Sequence, residues 1–177
     1  PGGGGEVVFR APVVKALKPI NLVHVGQVRR VRGVAFAAKV SPQVPNRLVD
    51  AAKGVLLKVL PDVYVYTDHL RGDKAGNSSG FGVSLVAETN NGSLFGAEAS
   101  AQPGQAPEEV GLSAAKLLLH EVGNGGTVDS ANQGLVLTLA ALCPEDVSRV
   151  RLGKLTPQTI RLLRLLRELR RELIGAG

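Results

Sequence analysis

Aromatic side chains make up only 3% of this 177-residue sequence: two tyrosines, four phenylalanines and no tryptophan. No RNP-type motif for stacking bases is present, so recognition of RNA would have to be electrostatic. Cysteine is scarcer still. Cys143 stands alone, which excludes an internal disulfide and any cysteine-cluster zinc site. Beside an apolar helical pattern it reads as a small buried hydrophobe, and a reducing intracellular compartment fits. No uninterrupted apolar run approaches the roughly 20 residues that span a bilayer, so no membrane association is expected. The opening PGGGGEV does not form a basic-then-apolar leader, and no secretory signal is expected. The three histidines, His24, His69 and His120, fall in separate segments without partners at metal-ligand spacing. No histidine follows His120, and no Gly-x-Ser-x-Gly elbow occurs.

What is present is enough for a folded core. Hydrophobic residues are 44% of the chain and charged ones 20%, the balance of a soluble globular protein with one domain or two small ones. The net charge of +6 is segregated. Residues 1–49 carry eight basic side chains against Glu6, 50–148 carry five against twelve acidic, and 149–177 carry eight against two. A chain basic at both ends and acidic in the middle reads either as a polyanion-facing surface or as ordinary solvated surface.

Read in order, four glycines lead into a strand signal at Glu6-Val7-Val8-Phe9. They lack the Lys-Ser/Thr of a P-loop and serve as a permissive lead-in. Residues 17–22 read as a second short strand that Pro19 confines to an edge. Residues 31–40 form a buried strand, and Ser41-Pro42 caps a helix with Val44, Leu48, Val49, Ala52, Val55, Leu56 and Val59 on one face. Pro61 ends that helix, and 63–66 is a strand parallel to the first. A polar loop over 72–80 precedes a hairpin, 81–88 and 93–99, turned at Asn90-Asn91-Gly92. Pro107 starts a helix carrying Val110, Ala114, Leu117, Leu118 and Val122. This β-α-β-β-β-α order is thioredoxin-like, but without a CxxC it has no redox role. Thr67-Asp68-His69 at a strand end and the carboxylate pairs Glu108-Glu109 and Glu145-Asp146 are candidate sites, and the structural reading is preferred for each.

The remaining block runs over 128–166. Asp129 or Ser130 can cap a helix with Leu135, Val136, Leu139, Ala140 and Leu142 at helical spacing, which Pro144 stops. A basic strand over 149–152 follows, and Thr156 caps a last helix over 156–174 with Pro157 at its first position. In that helix Leu162, Leu166, Leu169 and Leu173 repeat at helical spacing. Arg161, Arg164, Arg167 and Arg171 lie on another face, with Glu168 in reach of Arg164 and Arg171. Arg149, Arg151 and Lys154 are the candidate RNA- or anion-binding residues, beside the amides of the last helix. Arg29, Arg30 and Arg32 form a second basic knot.

Two motifs here, VDSANQ with its apolar helix and VRLGKLTP, resemble the C-terminal half of the RNA 3′-terminal phosphate cyclase family, and most closely its non-cyclising, cyclase-like branch. The resemblance implies an α+β/α/β fold in which 1–26 and 126–177 belong to the large cyclase-like core and 27–125 is an inserted small α/β domain. It also implies vestigial nucleotide-site positions at Asp129, Asn132, Gln133 and Leu155. The family's adenylated histidine falls near Leu155, and its nucleotide-binding Asp-Gln pair becomes Asn132-Gln133. An aliphatic side chain has no lone pair for phosphorus, so no cyclase activity, catalytic residue or cofactor is expected.

The implied role is a non-catalytic assembly factor of the small-subunit processome in the nucleus and nucleolus, supporting early pre-rRNA processing and 18S rRNA maturation. The implied partners are pre-rRNA, processome proteins including a GTPase, and the N-terminal half of the same protein. A pre-rRNA endonuclease is the alternative, and an active cyclase is a further one.

Overall fold

The structure, a computed structural model, describes residues 7–143 and 147–175, with the side chains of the last helix up to Leu169. Glu6, Pro144, the pair Glu145-Asp146 and the side chains of Arg171 and Leu173 lie outside the described residues.

Alternation decides the central strand. In β2 (Val28–Ala38), Val31, Ala35 and Ala37 are buried, while Val34 and Phe36 face the other way and are exposed. The strand stops short of the expected 40 because Lys39 takes a left-handed φ of 52°. The next helix, α1 (Val44–Leu56), begins after Gln43 rather than at Ser41-Pro42, which instead form the preceding turn. Pro45, Leu48, Val49, Ala52 and Leu56 are its buried side chains, whereas Val59 lies beyond the helix and is exposed. β3 (Val63–Leu70) continues through Thr67-Asp68-His69, whose polarity hides a strand that Ala35, Phe36 and Ala37 pair in register. The expected polar loop contains a 3-10 turn, Gly72–Ala75, with Ala75 buried.

β4 (Gly80–Thr89) and β5 (Leu94–Ser100) form the antiparallel hairpin, with Gly92 at φ 81°. Strand order is β3-β2-β4-β5, with β2 parallel to β3 and antiparallel to β4. α2 (Pro107–Gly123) returns over the sheet beside α1. Gly111 permits this, because a Cβ there would run into the Leu48 carbonyl. Both helices cover the face formed by Val31, Val63, Val65, Val83, Leu85, Phe95 and Ala97. Leu117, expected on the buried side of α2, is 47% exposed. The opposite sheet face has no covering layer among the described residues. On it the Phe36 ring fills the space that a Cβ at Gly82 would need.

The ends of the chain meet beside this unit. β1 (Asn21–Leu22) pairs in parallel with β6 (Arg149–Val150), and α3 (Gln133–Ala141) packs near α4 (Pro157–Gly175). Both strands are two residues long, shorter than 17–22 and 149–152, since Pro19 lacks an amide to extend the ladder and the Arg151 carbonyl accepts from Thr127 N–H instead. Val7, Val8 and Phe9 form no strand and are exposed, so the expected opening strand is absent from its described part. Among the described residues, no buried apolar side chain lies beyond Leu118. α3 illustrates the point. Leu135, Leu139 and Leu142 are all exposed, and its one buried side chain is Gln133.

Candidate functional site

Two glycines bring the site together. The backbone at Gly126 and that at Gly153 approach so closely that a side chain on either would collide with the other loop. Next to this crossing, the Thr127 amide donates to the Arg151 carbonyl at 2.8 Å. The Thr127 hydroxyl lies 2.9 Å from both the Leu22 and the Arg151 carbonyl oxygens, sharing one proton between them. Arg149 N–H and Arg151 N–H donate to Ile20 and Leu22 at 2.8 Å. Residues 20–22, 127 and 149–151 are thus stitched by main-chain bonds, and alternation sends the Arg149 and Arg151 side chains to one side.

Both arginines and Lys154 are exposed and form no ion pair with a described residue. Arg149 borders a shallow cleft with Pro19, Ile20, Asn21 and Val147. Lys154 lies at a bend beyond the strand, so it does not share the strand's alternation. The second basic knot behaves differently. Arg29 and Arg30 both bind Glu88, and Arg32 grips Asp62 through two bonds of 2.8 and 2.7 Å. Those hydrogen bonds, from Arg30 to Glu88 and from Arg32 to Asp62, hold both carboxyls below the ordinary range. All three cations of this knot are paired within the fold, sharing two carboxylates.

The positions expected to be vestigial have structural partners. Asp129 is buried, its Oδ1 accepting from the Asn132 amide and side chain at 2.9 Å and its Oδ2 from Gly96 N–H at 2.9 Å. It ties the turn before α3 to β5. The helix itself starts later, with Asn132 as its N-cap, so neither Asp129 nor Ser130 occupies that place. Ser130 instead donates its amide and hydroxyl to Glu121 on α2. Gln133, 1% exposed, donates through Nε2 to the Lys154 carbonyl at 3.1 Å. Its Oε1 accepts from the Thr159 hydroxyl at 2.9 Å, and the Thr156 amide is 3.5 Å away. Leu155, between these partners, is 40% exposed.

Thr156 caps α4 as expected, its Oγ1 accepting from Thr159 N–H at 3.1 Å. That cap alters the helix end as an anion site. Pro157 has no amide and Thr159's is satisfied, leaving Gln158 N–H as the open donor of the first turn. The expected set of unpaired amides is therefore reduced to one. Along α4, Arg161, Arg164 and Arg167 are exposed, and Arg164 forms no ion pair with Glu168.

His69 is also accounted for. Arg71 Nε donates to its Nδ1 at 3.0 Å, so Nε2 carries the proton and donates to the Val40 carbonyl at 3.0 Å. Among the described residues no three His, Cys, Asp or Glu side chains could hold a metal ion. None of their helices is long and apolar enough to cross a membrane.

The structural roles of Thr127 and Thr159 are not readable from the sequence. A threonine gives no local signal that its hydroxyl will meet a carbonyl or an amide far along the chain.

The family profile described as the RNA 3′-terminal phosphate cyclase (RTC) insert domain matches residues 23–123. The chain belongs to the RNA 3′-terminal phosphate cyclase family. It is 53% identical over 172 residues to a Mus musculus protein named RNA 3′-terminal phosphate cyclase-like protein, covering 94% of this chain and 46% of that one. The Homo sapiens protein of the same name is 52% identical over 172 residues, with the same coverage of 94% and 46%. A Schizosaccharomyces pombe protein named rRNA processing protein rcl1 is 48% identical over 167 residues, covering 93% of this chain and 46% of that protein. The chain thus spans about half the length of the curated relatives it matches.

Proposed function

We propose that this chain is the C-terminal half of a non-catalytic ribosome-assembly factor that acts in rRNA processing. In finer terms, it serves the small-subunit processome in early pre-rRNA processing and 18S rRNA maturation, together with a GTPase partner, in the nucleolus. The observation that carries this reading is Leu155. By the family resemblance it takes the place near the adenylated histidine; in the fold it lies between a capped helix and a buried glutamine, and it offers no nucleophile. The likeness to the S. pombe rRNA processing protein supports the direction of the role.

Residues 27–125 form the inserted small domain in this reading, and its strand order and directions support the thioredoxin-like arrangement. Residues 1–26 and 126–177 belong to the large core, whose N-terminal half would cover the exposed leucines of α3 and α4. RNA phosphates would meet Arg149, Arg151 and Lys154. The full-length protein incubated with radiolabelled ATP is expected to acquire no covalent adenylate. A stable phosphoramidate-linked adenylate overturns the non-catalytic reading, and site-specific turnover of a defined pre-rRNA would favour the endonuclease.

A further inference from the structure

The edge strand β3 has a row of main-chain groups with nothing to bond. Val31 N–H donates to the Asp62 carbonyl at 2.7 Å, and Val31 is the register partner of Val63. In a parallel ladder this phase turns the even-numbered residues of β3 toward β2. Val63, Val65, Thr67 and His69 consequently direct their own N–H and C=O groups outward. Among the described residues these groups have no hydrogen-bond partner. Edge strands are ordinarily blunted by proline, lysine, a bulge or a covering segment. β3 has neither proline nor lysine over eight residues, and its pairing with β2 runs without a register shift.

The side chains beside this edge narrow the choice of occupant. Tyr64 and Tyr66 are 50% and 59% exposed on the open sheet face, their rings edge to face at 4.6 Å. Val34, Phe36 and Val86 continue an apolar surface away from the edge. The charges near it do not suit a polynucleotide. Arg30 and Arg32 are already paired, while Asp68 and Glu98 on the same face have no cationic partner among the described residues.

We propose that β3 is a docking edge for an extended segment of a protein partner, which adds to the sheet as an antiparallel fifth strand. Opposite Tyr64, Tyr66 and Asp68 the new pairs would be non-hydrogen-bonded ones, where facing side chains come closest. The segment therefore presents a basic residue to Asp68 and, at the next two alternate positions, apolar residues to Tyr66 and Tyr64. Main-chain bonds hold it, and this alternation selects it. The inference does not depend on the role in rRNA processing.

The test uses the full-length protein and a fluorescein-labelled Thr-Lys-Thr-Ile-Thr-Val-Thr peptide, read by anisotropy. Thr67→Pro removes one outward amide and no bond to β2, so it should weaken binding by about tenfold while the melting temperature stays near that of the parent. Asp68→Lys should weaken the same peptide and favour one with Glu in place of Lys. Equal binding by Thr67→Pro, or by a peptide N-methylated along its bonding edge, overturns the proposal. So does a dimer of the protein that Thr67→Pro dissociates, which would give the edge to a second copy. A single-stranded RNA whose binding is lost on Tyr66→Ala but kept in Thr67→Pro would give the face to RNA and overturn it equally.

Discussion

The Thr159 hydroxyl donates to Gln133 Oε1 at 2.9 Å, joining the first turn of α4 to the first residue of α3. The same glutamine donates to the Lys154 carbonyl and lies 3.5 Å from the Thr156 amide, so one buried side chain ties the approach to α4 and its first turn to α3. Replacing it with leucine would take the partner from the part-buried Lys154 carbonyl and leave the Thr159 hydroxyl with Thr156 Oγ1 alone. Gln133→Leu should cost about 1–3 kcal/mol in denaturant unfolding of the full-length protein. Faster amide exchange over 154–159 would locate the loss, and unchanged protection there would contradict this role.

Gly111 lets α2 pack close against the backbone of α1. A methyl group there would meet the Leu48 carbonyl, a backbone atom that cannot swing aside. Gly111→Ala should therefore destabilise by about 1–3 kcal/mol, although alanine favours helix elsewhere. A melting temperature equal to or above the parent's would show that the helices can part without cost.

The paired carboxylates set an acid limit. Hydrogen bonds from Arg30, Arg32 and Arg47 lower the pKa of Glu88, Asp62 and Glu108 respectively. Each group titrates lower in the folded state than in the unfolded one, so its contribution is complete above the ordinary carboxylate range. It is lost as pH falls from that range through the lower folded values. Arg32→Gln should flatten the dependence of melting temperature on pH in this window. It should lower that temperature near neutrality, only slightly because the pair is exposed, and leave it unchanged in acid, where Asp62 is protonated. A parallel curve displaced at every pH would assign Arg32 a packing role instead.

Exposed cations without partners should be felt in salt dependence. Replacing Arg149, Arg151 and Lys154 with alanine should weaken RNA binding by the full-length protein. The log–log salt slope should fall by about 0.7 for each phosphate that is no longer neutralised. Melting temperature should hardly move, because none of the three side chains has an ion pair among the described residues. An unchanged slope would leave this strand as solvated surface.

The sheet and its two helices were legible because their signals are local. Val31, Ala35 and Ala37 repeat with period two, Leu48, Ala52 and Leu56 repeat at helical spacing, and Gly92 marks a turn. The order and parallel direction of β2 and β3 follow from the length of the crossover. The family, too, was readable in the motifs at 128–133 and 150–157. Partnership between distant side chains was not. Arg29, Arg30 and Arg32 look in sequence like Arg149, Arg151 and Lys154, yet sheet pairing sets Glu88 opposite Arg30, while the second group has no ion pair among the described residues. Nothing in the sequence shows that Asp129 will bond Gly96 of β5, or that Gln133 will bond Lys154 and Thr159 after the chain returns past Gly153. The amphipathic pattern of α3 similarly points to a buried face that these residues do not enclose. Periodicity and turn chemistry act over a few neighbouring residues, so the sequence alone determined the elements. Charge neutralisation and polar satisfaction depend on groups separated by tens of residues, and only tertiary structure decided them.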